Sequence, residues 1–248
     1  MPLDAILTPS ELPALAKRDL RDTACVVFDI LRATSTFVTA LHHGAAAIIP
    51  VAEIPEALAV KKTKPDVLLG GEREGVRIRG AQPGGIDFDF GNSPREYTRE
   101  KVAGRTIVST TTNGTRALRA CAGAKAVLAG SFLNLSVTAE FIRSQRFENI
   151  LLVCAGTHDS AALEDVLAAG VMCEALSNDP DTLSDAAQTA FHAFIGVRDD
   201  LALAIFHSRN ARRVAAIPEL QADVAYCLQR DVYPFVAVMD KDGRIRKV

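Results

Sequence analysis

Val26-Val27-Phe28-Asp29-Ile30-Leu31-Arg32-Ala33-Thr34-Ser35-Thr36 is the stretch on which the reading of this chain turns. A Val-rich apolar run ends on a carboxylate, an arginine follows three positions later, and hydroxyl residues then open a helical pattern that continues through Leu41. In a parallel α/β sheet this puts Asp29 at the carboxyl end of a buried strand, where such sheets bind their ligands. Thr34, Ser35 and Thr36 fall at the start of the next helix, whose free N–H groups attract anions. A carboxylate to hold a cation, an arginine to fork onto an oxyanion and hydroxyls to donate hydrogen bonds together suggest a metal–phosphate site. The plainer reading makes Asp29 the buried partner of Arg32 and the hydroxyls simple caps.

Outward from this stretch the same rhythm repeats. Residues 1–22 read as an edge strand or helix, with Pro9, Ser10 and Glu11 as a helix start. After the helix at 34–43, closed by Gly44, come a strand at 46–51, a helix at 55–62 and a strand at 66–69, an order that marks a mostly parallel sheet. Residues 70–94 lack periodicity and are rich in glycine, and a loop of that length inside a domain is usually functional or disordered. Strands are then expected at 106–109, 126–129 and 150–155, with helices at 117–121, 134–143 and 161–176. A long helical pattern follows at 183–216, then a helix at 218–228 and a closing strand at 235–239 with a charged tail. The expected class is α/β, a mostly parallel sheet flanked by helices with a helical C-terminal portion. It forms a single domain over 1–248, or two lobes of about 1–175 and 176–248. The segments 29–36 and 109–116 each run strand, hydroxyl loop, helix, Gly-Ala, strand, so two anion-binding turns could share one cleft, or could simply repeat the generic α/β rhythm.

Composition bounds the function. With 248 residues, 48% hydrophobic and 23% charged, the chain can bury a sizeable core. A net charge of -2 gives no field for a polyanion, so no nucleic-acid partner is expected. No apolar run approaches the roughly 20 residues of a membrane span, and the N-terminus has no signal-peptide core, so a cytoplasmic protein without a membrane partner is expected. Cys25, Cys121, Cys154, Cys173 and Cys227 are odd in number and form no C-x-x-C pair, which favours buried thiols over zinc or disulfides. Cys154, before Gly156 and His158, comes nearest to a nucleophile's setting. The helical stretch after Leu183 offers a face for a homodimer.

Familiar nucleotide, zinc-protease and nucleophile-elbow motifs are missing. What remains is carboxylates at loop starts: Asp29, Glu72, Glu164 and Asp165. Few hard oxygen ligands with water left on the ion suit Mg²⁺. Acidic residues in a helix's first turn also complement its dipole, which is the structural alternative for Glu164 and Asp165. Glu72-Arg73 is otherwise a surface ion pair.

Five motifs in order, Asp29-Ile-Leu-Arg-Ala-Thr34, Gly70-Gly-Glu-Arg73, Phe90-Gly-Asn-Ser-Pro94, Ser109-Thr-Thr-Thr-Asn-Gly-Thr-Arg116 and the Glu164-Asp165 helix start, resemble the 2-phosphosulfolactate phosphatase (ComB) family. The resemblance implies an α/β fold of its own type and Mg²⁺-dependent hydrolysis of 2-phospho-3-sulfolactate to sulfolactate and phosphate, a step of coenzyme M biosynthesis. The substrate partner is then a small phosphorylated anion. Asp29 and Arg32 are expected to be catalytic, Asp29 as base or nucleophile, with Asp29, Glu72, Glu164 and Asp165 available to hold Mg²⁺. Arg32 and Arg73 would fork onto phosphate or sulfonate. Thr110, Thr111, Asn113 and the backbone of Gly114 would cradle a second anionic group, and Asn92 would touch the substrate. The link from Arg79 to Asp87 is longer and richer in glycine than the family's usual Gly-Phe-Asp, a departure that bears on specificity. The rivals are a non-catalytic binder of a small phosphorylated acid and a phosphatase for another such acid.

Overall fold

The apolar run before Asp29 is a strand near the middle of a sheet, and its side chains alternate between two separate cores. The computed structural model describes residues 1–15, 17–80 and 85–248. In chain order its elements are β1 (Leu3–Ile6), α1 (Leu12–Leu15), β2 (Thr23–Phe28), α2 (Ala33–His42), β3 (Ala47–Pro50), α3 (Ile54–Thr63), β4 (Leu68–Arg73), β5 (Val76–Arg77) and α4 (Arg99–Val102). They continue as β6 (Thr106–Thr110), α5 (Gly114–Ala120), β7 (Ala126–Gly130), α6 (Leu135–Ser144), β8 (Asn149–Cys154) and α7 (Leu163–Leu176). The C-terminal part is α8 (Asp185–Ile195), α9 (Leu201–Phe206), α10 (Arg209–Ala215), α11 (Gln221–Cys227), β9 (Ala237–Met239) and β10 (Ile245–Lys247).

Strand order across the ten-stranded sheet is β1-β8-β2-β7-β9-β10-β3-β6-β4-β5. Two parallel blocks, β1-β8-β2-β7 and β3-β6-β4, are joined by the antiparallel hairpin β9–β10. Every residue of β2 is buried because helices cover both faces, which is why its sequence reads as a continuous apolar run. Cys25 and Val27 pack with Phe37 and Leu118, while Val26 and Phe28 pack with Leu167 and Phe194, as strand alternation requires.

The α/β architecture agrees with the sequence reading, with two differences in detail. The closing strand pairs with a second one formed by the charged tail, and both lie inside the sheet. Asp240 makes this turn, its carboxylate accepting from the N–H groups of Asp242 and Arg244 at 2.9 Å each. The helical pattern at 183–216 is three helices, because Ser184 and Ser208 each cap a new start through Ala187 N–H and Ala211 N–H. Helix α7 is buried from Glu164 to Cys173 and lies tightly against α8. Gly170 permits that approach, since a Cβ there would fall 2.3 Å from the Ala190 carbonyl oxygen. Ile195, Leu203 and Phe206 are the exposed large apolar side chains of the α8–α9 region. Among the described residues no helix is long and apolar enough to cross a membrane. All five cysteines are buried and unpaired, and burial pushes the Cys154 thiol well up, away from nucleophilic use.

Candidate active site

The carboxyl ends of β2, β4, β6 and β8 open on one side of the sheet, and the loops leaving them meet the C-terminal helices around a cleft of about 650 Å³. Asp29, Arg32, Glu72, Asn92 and Asn113 line it, together with His158, Asn210 and Arg213.

The loop from β2 to α2 is stapled before it reaches the cleft. Thr34 Oγ1 accepts from the Asp29 N–H at 3.1 Å and donates to the Asp29 carbonyl at 3.0 Å, while Asp29 Oδ1 accepts from the Ala33 N–H at 3.0 Å. The hydroxyls of Ser35 and Thr36 are also committed to protein, donating to the carbonyls of Ile30 and Asn92. They shape the turn and leave the cleft to Asp29 and Arg32. Burial pushes the Asp29 carboxyl up to about 7, and the charges of Glu72 and Glu164 add to this against the opposing Ala33 hydrogen bond and Arg32.

Arg32 is itself almost fully buried. Its Nη1 donates to Asp223 Oδ2 at 2.8 Å and its Nη2 to the Gly75 carbonyl at 2.7 Å. The partner that the plainer of the two sequence readings gave it, Asp29, is therefore replaced by a carboxylate 191 positions along the chain. Asp223 Oδ1 also accepts from Ser93 Oγ at 2.8 Å.

Glu72 points into the cleft from the end of β4 with both oxygens held. Oε1 accepts from the Thr112 N–H at 2.8 Å and its hydroxyl at 3.0 Å, and Oε2 accepts from the Gly75 N–H at 2.6 Å. Arg73, next along the strand, leaves on the other face. Its guanidinium meets the Glu72 and Ala52 carbonyls, Thr110 Oγ1 and Glu53, away from the cleft. Thr110 donates to the Ala52 carbonyl, and Thr111 exchanges hydrogen bonds with Thr115, so neither hydroxyl lines the cleft.

Asn113 lines it, with Nδ2 donating to the carbonyls of Ala155 and His158 at 3.0 and 3.1 Å and so tying the β8 loop in place. His158 sits on that loop with φ +52, a conformation uncommon outside glycine. Gly114 brings the two strand–loop–helix units together: a Cβ there would come 2.4 Å from Asp29 Oδ2 and 2.7 Å from Ala33 Cβ. Gly114→Ala must push these groups apart, and a loss of about 1–3 kcal/mol is expected in denaturant titration. An unchanged midpoint would mean that the two loops separate freely.

Glu164 and Asp165, adjacent at the start of α7, divide into different jobs. Asp165 bridges the β2 and β8 loops, accepting from the Ile30 N–H at 2.8 Å and the Gly156 N–H at 2.9 Å. Glu164 Oε1 accepts from Asn210 Nδ2 at 2.7 Å, while its Oε2 is buried with no partner. Burial holds both carboxyls above their usual range, and for Asp165 the charges of Glu164 and Asp29 add to it. Asn92 Oδ1 is a second buried acceptor without a partner. Among the described residues no three carboxylate, imidazole or thiol side chains converge as a ready-made metal cage. Mg²⁺ needs no such cage, since it keeps several waters and takes one or two carboxylates with phosphate oxygens. Surplus carboxylates with orphaned oxygens are donors of the kind it uses.

Sequence reasoning missed Asp223, Asn210 and Arg213. A signal existed for Asp223, which shares a helical face with Leu220, Val224 and Cys227 and so stood out as a charge on an apolar stripe. Residues 81–84 of the glycine-rich link lie outside the described residues.

A family model described as 2-phosphosulpholactate phosphatase matches residues 7–242. A probable 2-phosphosulfolactate phosphatase of Caldicellulosiruptor saccharolyticus is 38% identical over 235 residues, covering 91% of this chain and 93% of that one. Proteins of the same description from Thermotoga petrophila and Thermotoga maritima are 42% and 41% identical, each covering 86% of this chain and 88% of theirs.

Proposed function

The chain belongs to the 2-phosphosulfolactate phosphatase family and is a phosphoric monoester hydrolase, and from that premise we propose that its cleft hydrolyses 2-phospho-3-sulfolactate with the help of Mg²⁺. One observation carries the reading: Asp29 and Glu72 line one cleft, the buried Glu164 acts on Asp29 from beside it, and the cleft's buried arginine, Arg32, is already paired with Asp223. Such a site carries surplus carboxylate charge at its sheet end, and a divalent cation that brings a phosphate ester offsets it in the right form.

Asp29 and Glu164 would hold the ion, because each keeps an oxygen without a hydrogen-bond partner among the described residues. Glu72 and Asp165 commit both oxygens to backbone N–H groups and instead shape the loops. When bound, the ion offsets charge on the phosphate oxygens. Arg32 has two N–H groups engaged and, lining the cleft, would offer its remaining ones to the ester phosphate. Asp29 Oδ2 has one of two uses, holding the ion or taking the proton of the attacking water; burial raises its carboxyl to about 7 in the metal-free protein, which suits the second when Glu164 and phosphate oxygens carry the ion. Asn92 lines the same wall and would donate from its side-chain amide to the substrate acid, while Asn113, whose Nδ2 is given to the Ala155 and His158 carbonyls, holds the β8 loop beside it.

The test is phosphate release from 2-phospho-3-sulfolactate, with Mg²⁺ and after chelation, beside other phosphorylated hydroxy acids. Release that needs Mg²⁺ and favours the sulfonate is expected. Release that survives full chelation would remove the ion from the scheme, and preference for another acid would move the substrate.

A further inference from the structure

We propose that Arg213 on α10 reads a second acid group of the substrate, carboxylate or sulfonate, and thereby sets which phosphate esters this cleft accepts; the assignment rests on the phosphatase reading above. Two guanidinium groups line the cleft, and Gly75 lies between them. On one side the Gly75 carbonyl holds Arg32 Nη2 at 2.7 Å. On the other, Arg213 Nη2 and Nε lie 3.9 and 4.0 Å from where a Cβ on Gly75 would stand.

Their surroundings differ. Arg32 is compensated by Asp223 at 2.8 Å. Arg213 forms no ion pair with any described residue. It is thus the cleft arginine whose charge is open to a ligand. Val214, Ile217 and Leu220 line the rim beside it.

Gly75 keeps the floor between the two arginines bare. Its φ of +84 disfavours any side chain, and a Cβ there would extend toward the Arg213 guanidinium. A phosphate beside Arg32 and an acid group on the ester carbon or the carbon next to it could then span this strip of backbone, each on its own guanidinium. The reader comes from the C-terminal helices, whereas the carboxylates come from the sheet.

The experiment compares wild type, Arg213→Gln and Arg213→Lys on three esters: 2-phospho-3-sulfolactate, 2-phospholactate and glycerol 2-phosphate. In Arg213→Gln the kcat/KM for the sulfonate ester is expected to fall about 30-fold, mainly through KM, with a several-fold smaller loss on glycerol 2-phosphate. Lysine should restore part of it, since the charge returns without the fork. A large loss on 2-phospholactate too identifies the carboxylate as the group read; a loss confined to the sulfonate ester identifies the sulfonate. Equal losses on all three, or none, overturn the proposal. Were the wild type to hydrolyse none of the three, the phosphatase reading would fall. Titration calorimetry with 3-sulfolactate would then decide Arg213 separately, weaker binding by Arg213→Gln supporting it and equal binding overturning it.

Discussion

Asp29→Asn is expected to lower phosphate release by about three orders of magnitude or more, since it removes the carboxylate oxygen that the site needs as metal ligand or as proton acceptor. The same substitution is expected to raise the stability of the metal-free protein. The reason is linkage: the Asp29 carboxyl, ordinarily at 3.8, is pushed up to about 7 by burial and by Glu72 and Glu164. A carboxyl raised on folding contributes its stability in full below about pH 4 and loses it as pH rises through about 7. The wild type without metal should therefore weaken across that window, and Asn should weaken less, since only the raised carboxyls of Glu164 and Asp165 remain. A full shift of this size corresponds to roughly 4 kcal/mol. Because the side chain also touches cleft solvent, about half of that is expected above pH 7. Denaturant titration at pH 5 and pH 8 measures it, and Mg²⁺ should narrow the gap by stabilising only the wild type. A variant that is less stable than wild type at both pH values, or that keeps wild-type turnover, would refute the assignment. A site of this kind sacrifices stability for function.

The second large effect is at Asp223, where the carboxylate is fully buried against Arg32, itself 3% exposed. Asp223→Ala strands a guanidinium in the interior, and breaking such a pair from one side costs about 3–5 kcal/mol. For a chain of this size that is a drop in Tm of about 10 °C or more. Ser93 would lose its acceptor as well. Asp223→Asn keeps the shape and one acceptor, so it should fold better and still lose activity, because Arg32 is no longer held by charge. If Asp223→Ala melted within about 2 °C of wild type, the guanidinium must have found another anchor. Arg95, 3.5 Å from Asp223 and largely exposed, is not expected to add much.

Much of this molecule was legible one segment at a time. The apolar run 24–28, the carboxylate at its end and the hydroxyls after it specified a buried strand, a loop and a helix, because alternation and helix-start chemistry are local. The same logic placed Asp29, Glu72 and Asn113 at strand ends on one side of the sheet. Local logic failed where a side chain's direction depends on its neighbours. Arg73 and Glu72 are adjacent, yet the pleat sends one into the cleft and the other to Ala52 and Thr110. Glu164 and Asp165 are adjacent on a helix, and only the docking of two loops and α10 decides that one braces backbone while the other keeps a bare oxygen.

By itself, then, the order of residues determined the α/β class, the strand ends that carry the carboxylates, and the motifs of the phosphatase family. Tertiary structure alone decided the partner of Arg32, the place of the charged tail as a strand within the sheet, and the wall that α10 and the turn after it contribute. The physical reason is range. Pleat, helix period and capping act over a few residues and are written in spacing, whereas a buried ion pair 191 positions apart exists only once packing has removed the water from around it.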